Sequence, residues 1–82
     1  MFYCCVLKDP QSEFIYIGFS TDLKQRVKRH QELEHPGWRL VYYEAYLDEK
    51  DARERERMLK HYGASLGHLK ARIRNSLGRA LE

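Results

Sequence analysis

The sequence has few cysteines, the residues that hold many of the smallest domains together through disulfides. Its 82 residues include two cysteines, Cys4 and Cys5, which are adjacent and cannot close a loop through an ordinary disulfide. No CxxC pair and no His/Cys spacing typical of zinc is present. A disulfide scaffold and a zinc finger are therefore excluded, and we expect both cysteines to be small buried residues in a reducing cytosol.

The sequence also lacks a signal peptide and any apolar run of membrane-spanning length. We therefore expect a soluble, cytoplasmic protein without a membrane partner. A chain of 82 residues can bury one small core but not two. We expect residues 1–82 to form one complete domain.

Acidic residues are missing from one part of the chain. Fifteen lysines and arginines stand against 12 acids, which gives a net charge of +3, but no acid occurs between Lys60 and Leu81. Basic groups on separate segments suit a polyanion, because each phosphate contact releases condensed counterions. Solvated helix faces are also commonly basic, so charge alone leaves both interpretations open.

Hydrophobic patterning predicts an α+β domain with the order β-β-α-β-α-α and a three-stranded antiparallel sheet flanked by helices. Residues 2–8 and 14–19 are strand-like, and the short turn around Pro10 makes them a hairpin. His35-Pro36-Gly37 then breaks the chain before a third strand over residues 38–47. Its alternation predicts one face of Val41, Tyr43 and Ala45 and another of Leu40, Tyr42 and Glu44.

Capping residues and apolar spacing predict the first two helices. One begins after Ser20-Thr21-Asp22, with an apolar stripe of Leu23, Val27 and Leu33. The next is capped by Asp48 and ends before Gly63, with an inward stripe of Ala52, Leu59 and Tyr62.

A third helix is predicted from about Ser65 to Gly78. Its apolar residues Leu66, Leu69, Ile73 and Leu77 follow at spacings of 3, 4 and 4, which is typical of an amphipathic helix.

Three features do not suit a purely structural role. Gly18 interrupts a strong strand, and Tyr16 shares its face, so the phenol either packs in the core beside a bulge or borders the space that the glycine leaves open. Arg26 and His30 are four apart on one helix face, where they are either solvated or in contact with a phosphate. Glu56 lies on the inward stripe of the second helix, where a carboxylate is costly unless it is paired or binds a metal.

Geometry alone leaves two roles open for Glu56. It is either a metal ligand or one half of a structural ion pair with Arg55 or Lys60.

The same residues resemble a known family. Tyr16-Ile17-Gly18 is similar to the second half of the GIY-YIG nuclease signature, and the stretch from Asp22 to His30 resembles the family's T-D-L-x-x-R-x-x-x-H run. Residues 52–60 are similar to A-x-x-R-E-x-x-L-K, in which the Glu is the metal ligand. Residues 62–73 are similar to the ending of small stand-alone bacterial members of the family. These are related to the N-terminal incision domain of the repair excinuclease component that acts with the damage-recognition proteins.

One position departs from the pattern. The first half of the signature places a Tyr on the first strand, where this chain has Cys5, with Tyr3 two residues earlier on the same face. A thiol cannot replace a phenol that positions water. Either Tyr3 turns inward or the domain works with one tyrosine, so Tyr3, Cys5 and Gly18 are secondary site candidates.

The resemblance implies a metal-dependent endonuclease that hydrolyses DNA phosphodiester bonds, in repair or recombination. Glu56 would bind one Mg²⁺ or Mn²⁺, Arg26 would neutralise the phosphate, and Tyr16 would orient or deprotonate the attacking water. His30 would assist proton transfer or contact a phosphate. Specificity is expected from a homodimer or a targeting protein. The residues expected to contact the DNA backbone are Lys24, Lys60, Lys70, Arg72 and Arg74.

Two rival functions are compatible with the same residues. In the first, the loss of the tyrosine at Cys5 marks a catalytically silent nucleic-acid-binding module. In the second, the chain is a protein-interaction domain that docks a partner through exposed aromatic residues at Trp38, Tyr42 and Tyr46, with Glu56 paired to an arginine.

Overall fold

The predicted α+β architecture is confirmed by the computed structural model, which describes residues 1–34 and 36–79. The predicted break at His35 and the last three residues of the predicted domain lie outside these ranges. In the described residues, the antiparallel sheet has the strand order β2-β1-β3. The strands are β1 (Phe2–Lys8), β2 (Ile15–Ser20) and β3 (Arg39–Tyr46), and the helices are α1 (Leu23–Leu33), α2 (Glu49–His61), α3 (Gly63–Arg72) and α4 (Arg74–Arg79).

The register of the β1–β2 hairpin is reinforced at its turn by a buried lysine. Lys8 is only 7% exposed, and its ammonium group donates hydrogen bonds to the carbonyl oxygens of Asp9, at 3.1 Å, and of Ser12. With the turn held in this way, Leu7 lies opposite Tyr16 and Cys5 lies opposite Gly18. The hairpin thus brings these residues together on one face of the sheet.

Each face of the sheet carries its own hydrophobic cluster. On one face, Cys4 and Val6 pack with Leu59, Leu69 and Ile73 from the later helices. On the other, the buried residues are Cys5, Leu7 and Trp38, and the first helix contributes Leu23 and Val27. Because β1 is the central strand, its alternating side chains serve both clusters, which explains why both adjacent cysteines are buried.

The predicted division of β3 into two strictly alternating faces is wrong at Leu40 and at Val41, which packs against the first cluster with Tyr42 and not on the face of Tyr43. The β1–β3 pairing shifts between Val6 and Leu7, so that Val6 lies opposite Tyr42 and Leu7 lies opposite Leu40. This bulge places one extra residue in β3 and changes the face on which the earlier residues lie. Leu40 consequently packs with Leu7 and Trp38 instead of with the cluster beside Tyr42.

Three details of the predicted helices are also wrong. Leu33 is 73% exposed, because it follows Val27 by six residues and lies on another face of α1. Tyr62 is 50% exposed, and its hydroxyl lies 3.4 Å from Nη1 of Arg57 at the surface. The single third helix is divided at Ile73, whose φ of −109° and ψ of 27° are not helical.

The apolar seam of that third helix nevertheless survives the division. Leu69 and Ile73 are buried in the first cluster, and Leu66 and Leu77 pack against it. Within the ranges that the structure describes, no helix has the length and apolar character needed to cross a membrane.

Candidate active site

Tyr16 lies over Gly18, as their shared strand face predicts. A Cβ atom added to Gly18 would lie 2.6 Å from Cε1 of Tyr16 and 3.1 Å from its hydroxyl oxygen. Both distances are shorter than ordinary van der Waals contact, so any other residue at this position would displace the ring. Gly18 is therefore required for the observed position of the phenol.

Arg26 connects the first helix to this tyrosine. Asp22 caps α1, its carboxylate accepting a hydrogen bond from the backbone N–H of Gln25, and this sets the start of the helix. One turn on, Nη1 of Arg26 lies 3.5 Å from the Tyr16 hydroxyl, while its Nη2 donates to the carbonyl oxygen of Phe19. The guanidinium is partly exposed, and its fork retains donors that can meet a phosphate.

His30 lies on the other side of the Tyr16 ring. The ring centroids of His30 and Tyr16 are 4.2 Å apart with an interplanar angle of 40°. The edge of Trp38 supports the imidazole at 5.2 Å, and Gln31 holds the tryptophan backbone through a 2.7 Å hydrogen bond from Nε2 to its carbonyl oxygen. Arg26 and His30, the predicted pair, therefore both contact Tyr16 instead of lying free in solvent.

Glu56 reaches the same place from the second helix. Its carboxylate is paired with Lys60, at 3.1 Å from Oε2 to Nζ, and its side chain is 20% exposed. The Lys60 ammonium also lies 5.9 Å from the centroid of the Tyr16 ring. The predicted ion-pair partner is thus Lys60, and Glu56 remains accessible enough to exchange that partner for another cation.

The inward face of α2 explains how Glu56 comes to border the site. Ala52 and Leu59 are buried, as predicted, and anchor the helix on the sheet. Glu56 and Lys60 follow Ala52 by four and eight residues, so helical periodicity turns them progressively toward one flank of the helix. That flank faces the edge strand β2, which carries Tyr16.

The position where the resemblance expects a second tyrosine holds a buried thiol. Cys5 is fully buried, and its Sγ lies 3.5 Å from the carbonyl oxygen of Gly18. Burial raises the pKa of the Cys5 thiol, so the group is neutral near pH 7. A neutral thiol under Gly18 contributes neither charge nor a phenolic hydroxyl to the site.

Tyr3 does not take the place of the missing phenol. Tyr3 lies opposite Ser20 on the neighbouring strand. Ser20 is four residues from Tyr16, which corresponds to about 13 Å along that strand. The ring of Tyr3 instead meets the ring of Tyr43 edge-on, with centroids 5.8 Å apart. In the part of the chain that the structure describes, the tyrosine that contacts Arg26 is thus Tyr16, and Tyr3 points to Tyr43.

Glu56 is the carboxylate available to a metal at this site. In the parts of the chain that the structure describes, no cluster of three or more His, Cys, Asp or Glu side chains is placed to hold a metal ion. Mg²⁺ needs few protein ligands, however, because it keeps several waters and takes its remaining oxygens from substrate phosphates. A single carboxylate fits such a shared site, provided that the cation displaces the Lys60 ammonium from Glu56.

A second polar cluster lies across the sheet, between β3 and α2. The Glu44 carboxylate accepts hydrogen bonds from Tyr42, at 2.6 Å, from Tyr46, and from Nε of Arg55, at 3.0 Å. Burial alone would raise the pKa of Glu44, but the hydrogen bonds from Tyr42, Tyr46 and Arg55 hold it below its ordinary value. Burial, together with Glu44, raises the pKa of Tyr42 to about 12.

This cluster overturns the predicted protein-docking surface. Tyr42 and Tyr46 are partly buried and direct their hydroxyls at Glu44, and Trp38 is only 9% exposed. The prediction of three exposed aromatic residues failed because it took β3 as a free face, whereas α2 covers Tyr42 and Tyr46 through Arg55 and α1 supplies His30 and Gln31 beside Trp38. Glu56 is also paired with a lysine and not with an arginine.

The predicted DNA-contacting residues divide between two parts of the molecule. Lys60 belongs to the side chains around Tyr16, here called the Tyr16 group: Tyr16, Arg26, His30, Glu56 and Lys60. Lys24 is exposed on α1. Lys70, Arg72 and Arg74 are exposed on the last two helices, with Lys70 beside a cavity that Lys8 also lines.

The structure also reveals two basic residues that sequence reasoning did not select. Arg29 and Arg53 line an open cavity together with Arg26, next to the end of β2. The spacing of Arg53, Glu56 and Lys60 by three and four residues was a signal that they share one flank of a helix.

Comparison with known proteins agrees with the geometry. A family model described as the GIY-YIG catalytic domain matches residues 1–70, which include every residue of the Tyr16 group. No curated protein and no solved structure matches the chain significantly.

Proposed function

The chain belongs to the GIY-YIG family, a family of nuclease-type catalytic domains, and from this membership we propose that it is a divalent-metal-dependent endonuclease acting on DNA. One observation carries the proposal. Arg26 and His30 of α1 contact Tyr16 of the edge strand, with Nη1 of Arg26 3.5 Å from the phenol oxygen and the ring centroids of His30 and Tyr16 4.2 Å apart. From α2, Lys60 lies 5.9 Å from the centroid of the same ring and pairs with Glu56.

Hydrolysis of a phosphodiester requires that negative charge on the phosphate be neutralised while a water attacks in line with the leaving oxygen. Arg26 supplies the first requirement. Its bond to the Phe19 carbonyl fixes one arm of the guanidinium, and the planar fork matches the geometry of two phosphate oxygens. We assign Arg26 to the scissile phosphate.

Tyr16 supplies the second requirement. Its ring occupies the space over Gly18 and contacts the His30 imidazole, which places the hydroxyl beside the Arg26 guanidinium. A hydroxyl that is both donor and acceptor can orient a water toward the phosphorus atom. We assign this role to Tyr16, and we assign to His30 the support of the phenol and a phosphate contact or proton transfer.

Glu56 would hold the metal, Mg²⁺ or Mn²⁺, which when bound supplies a Lewis acid for the phosphate and the leaving oxygen. Lys60 then has a second role. With Glu56 engaged as a metal ligand, its present partner, the Lys60 ammonium beside Tyr16, would be available to a neighbouring backbone phosphate. Such contacts position the DNA without reading its bases.

Substrate choice must therefore come from elsewhere. We assign it, in a repair or recombination setting, to a targeting protein or to a second copy of the chain.

A second function is favoured by two observations. Cys5 replaces the expected tyrosine, and Lys60 already neutralises Glu56. In a silent nucleic-acid-binding module, this ion pair would be permanent, the site would bind backbone phosphates, and no cutting would follow.

Supercoiled plasmid distinguishes the two functions, because one cut converts it to the relaxed form. The purified protein is incubated with plasmid and Mg²⁺ or Mn²⁺, in parallel with Glu56→Ala and with an EDTA control. We expect nicking that needs the metal and falls by about 1000-fold or more in Glu56→Ala, since that variant loses the protein's carboxylate ligand. Arg57→Ala, in the same helix but exposed and paired with Glu54, is the matched control and should cut like wild type.

Absence of nicking by a folded wild-type protein that still binds DNA would contradict the nuclease and support the silent module. In that case, Cys5→Tyr becomes the next variant to assay, because it restores the phenol that the family pattern expects.

A further inference from the structure

An open cavity of about 360 Å³ adjoins the proposed active site. It lies where β2 ends and α1 begins, and α2 forms its far wall. Its floor is made by Phe19 and Ser20, and three arginines, Arg26, Arg29 and Arg53, surround it. This cavity lies apart from the lysine and the carboxylate that face Tyr16.

The three arginines outnumber the acid that lines the cavity, so its lining carries a net positive charge. Asp22 is the acid in its lining, and its carboxylate is engaged in capping α1 through the Gln25 N–H. Arg53 is held in place from two sides: its guanidinium carbon lies 4.0 Å from the centroid of the Phe19 ring, and its Nε lies 3.2 Å from Glu49. Stacking of this kind reduces the freedom that a flexible arginine would lose on binding a ligand.

Arg26 is shared between the cavity and the active site. One arm of its guanidinium faces the Tyr16 hydroxyl, and the other reaches Phe19 on the cavity floor. Successive phosphates of a DNA strand are separated by roughly 3.4 Å along the helix axis, and by more through space because the backbone winds around that axis. A strand whose scissile phosphate meets Arg26 therefore places each adjoining phosphate one nucleotide away from it. The cavity lies within that reach.

We infer that this cavity is a binding subsite for the backbone phosphate next to the scissile one, contacted by Arg29 and Arg53. The inference rests on the proposed function, because it takes Arg26 as the contact to the reacting phosphate. Its ligand is a phosphodiester of the DNA backbone. The subsite selects no base, and it fixes the register of the strand across Tyr16.

The test measures binding without cutting. A short fluorescent DNA duplex is titrated in EDTA with wild type, Arg29→Ala, Arg53→Ala and the double variant, over a series of salt concentrations. Loss of this one phosphate contact should make the slope of log K against log salt shallower by about 0.9 in the double variant, and by less in each single variant. Arg39→Ala is the matched control, because Arg39 is an exposed arginine at the opposite end of the sheet, across from Lys8.

Plasmid nicking supplies the second readout. Contacts to a phosphate that does not react bind ground state and transition state equally, so the double variant should raise KM by about tenfold with kcat unchanged. Arg53→Lys keeps the charge but loses the planar fork, and it should recover part of the affinity. Thermal melts of all variants verify folding, which should be retained because Arg29 and Arg53 lie at the surface.

The outcomes separate this inference from the proposed function. Nicking by wild type with unchanged salt slopes in the double variant overturns the subsite and leaves the nuclease intact. Shallower slopes without any nicking support the subsite and contradict the nuclease. Slopes that fall equally in Arg39→Ala, or no DNA binding by wild type, overturn the subsite.

Discussion

Two polar clusters flank α2, and they differ in how completely their hydrogen bonds are satisfied. On the β3 side, the Glu44 carboxylate meets the hydroxyls of two tyrosines and the guanidinium of Arg55. On the β2 side, Tyr16 and Arg26 approach each other only to 3.5 Å, at the limit of a hydrogen bond. Both clusters contain tyrosine, arginine and glutamate, so residue type does not explain the contrast.

The difference lies in what remains available to a ligand. Every hydrogen-bonding partner that Glu44 needs comes from the protein, as is usual for buried polar groups, and such a network holds β3 against α2. The group around Tyr16 retains a phenol, a guanidinium fork and an ammonium that bordering solvent can reach. Donors that remain available can bind a phosphate, and the carboxylate beside them can bind a cation. A cluster whose hydrogen bonds are all made within the protein contributes to stability instead.

Arg26→Ala is the variant that should affect the open cluster most. We expect plasmid nicking to fall by about 100-fold or more, because the charge that develops on the scissile phosphate loses its partner. The free energy of unfolding should fall by only about 1 kcal/mol, since the protein loses little besides the bond to the Phe19 carbonyl. Cleavage rates and chemical denaturation on the same preparations measure both quantities.

Lys28→Ala provides the charge-matched control for Arg26→Ala. Lys28 lies on the same helix, away from Tyr16, and its loss should leave nicking within a few fold of wild type. If Arg26→Ala lost stability but kept its specific activity, Arg26 would belong with the structural residues, and the contrast between the clusters would disappear.

Glu44→Gln is expected to show the opposite signature, with stability affected and chemistry spared. The glutamine amide would place N–H donors beside the tyrosine hydroxyls and the guanidinium that now donate to the carboxylate. Because these donors would lose acceptors, the free energy of unfolding should fall by about 2 kcal/mol. Nicking by the folded fraction should change by less than about threefold, because Glu44 lies across the helix from Tyr16. Denaturation monitored by circular dichroism, followed by nicking below the unfolding transition, tests the two expectations separately.

The pH dependence of stability sharpens the same test. The folded-state pKa of Glu44 lies below its ordinary value of 4.5, so its stabilising effect is complete above pH 4.5 and is lost as the pH falls through the folded-state pKa. The pKa of Tyr42 is raised from 10.0 to about 12, so its contribution is complete below pH 10 and is lost between pH 10 and 12. Glu44→Gln should flatten both limbs of the stability profile, and unchanged limbs would contradict the assignment.

The local pattern of the sequence predicted most of the fold and the contact between Tyr16 and Gly18. Capping by Asp22 and Asp48, and the inward face formed by Ala52 and Leu59, depend on neighbours within one helical turn, and the structure confirms them. The position of Tyr16 over Gly18 likewise follows from the two-residue period of a strand.

The predictions that failed depend on contacts between segments that are far apart in the sequence. The shifted face of Leu40 comes from a bulge that is visible only when β3 pairs with β1. The prediction that Tyr42 is exposed is wrong because Arg55, which completes its cluster, is supplied by a later helix. Arg53 was missed for the same reason, since only the packing of α2 along the edge strand brings it to Phe19. Periodicity shows which residues share a face, but tertiary packing determines what that face contacts.

The smallest change that should disturb the open cluster is a single methyl group on Gly18. In Gly18→Ala, the new Cβ would lie 2.6 Å from Cε1 of Tyr16, so the ring must turn away from its position beside Arg26. We expect nicking to fall by about tenfold, because small misplacements of a catalytic group are costly. Gly67→Ala is the matched control: nothing lies within 4 Å of its added Cβ, and in α3 alanine should stabilise the fold by about 0.5–1 kcal/mol. Equal activity in the two variants would show that cutting does not depend on Gly18 leaving the Tyr16 ring in its observed position.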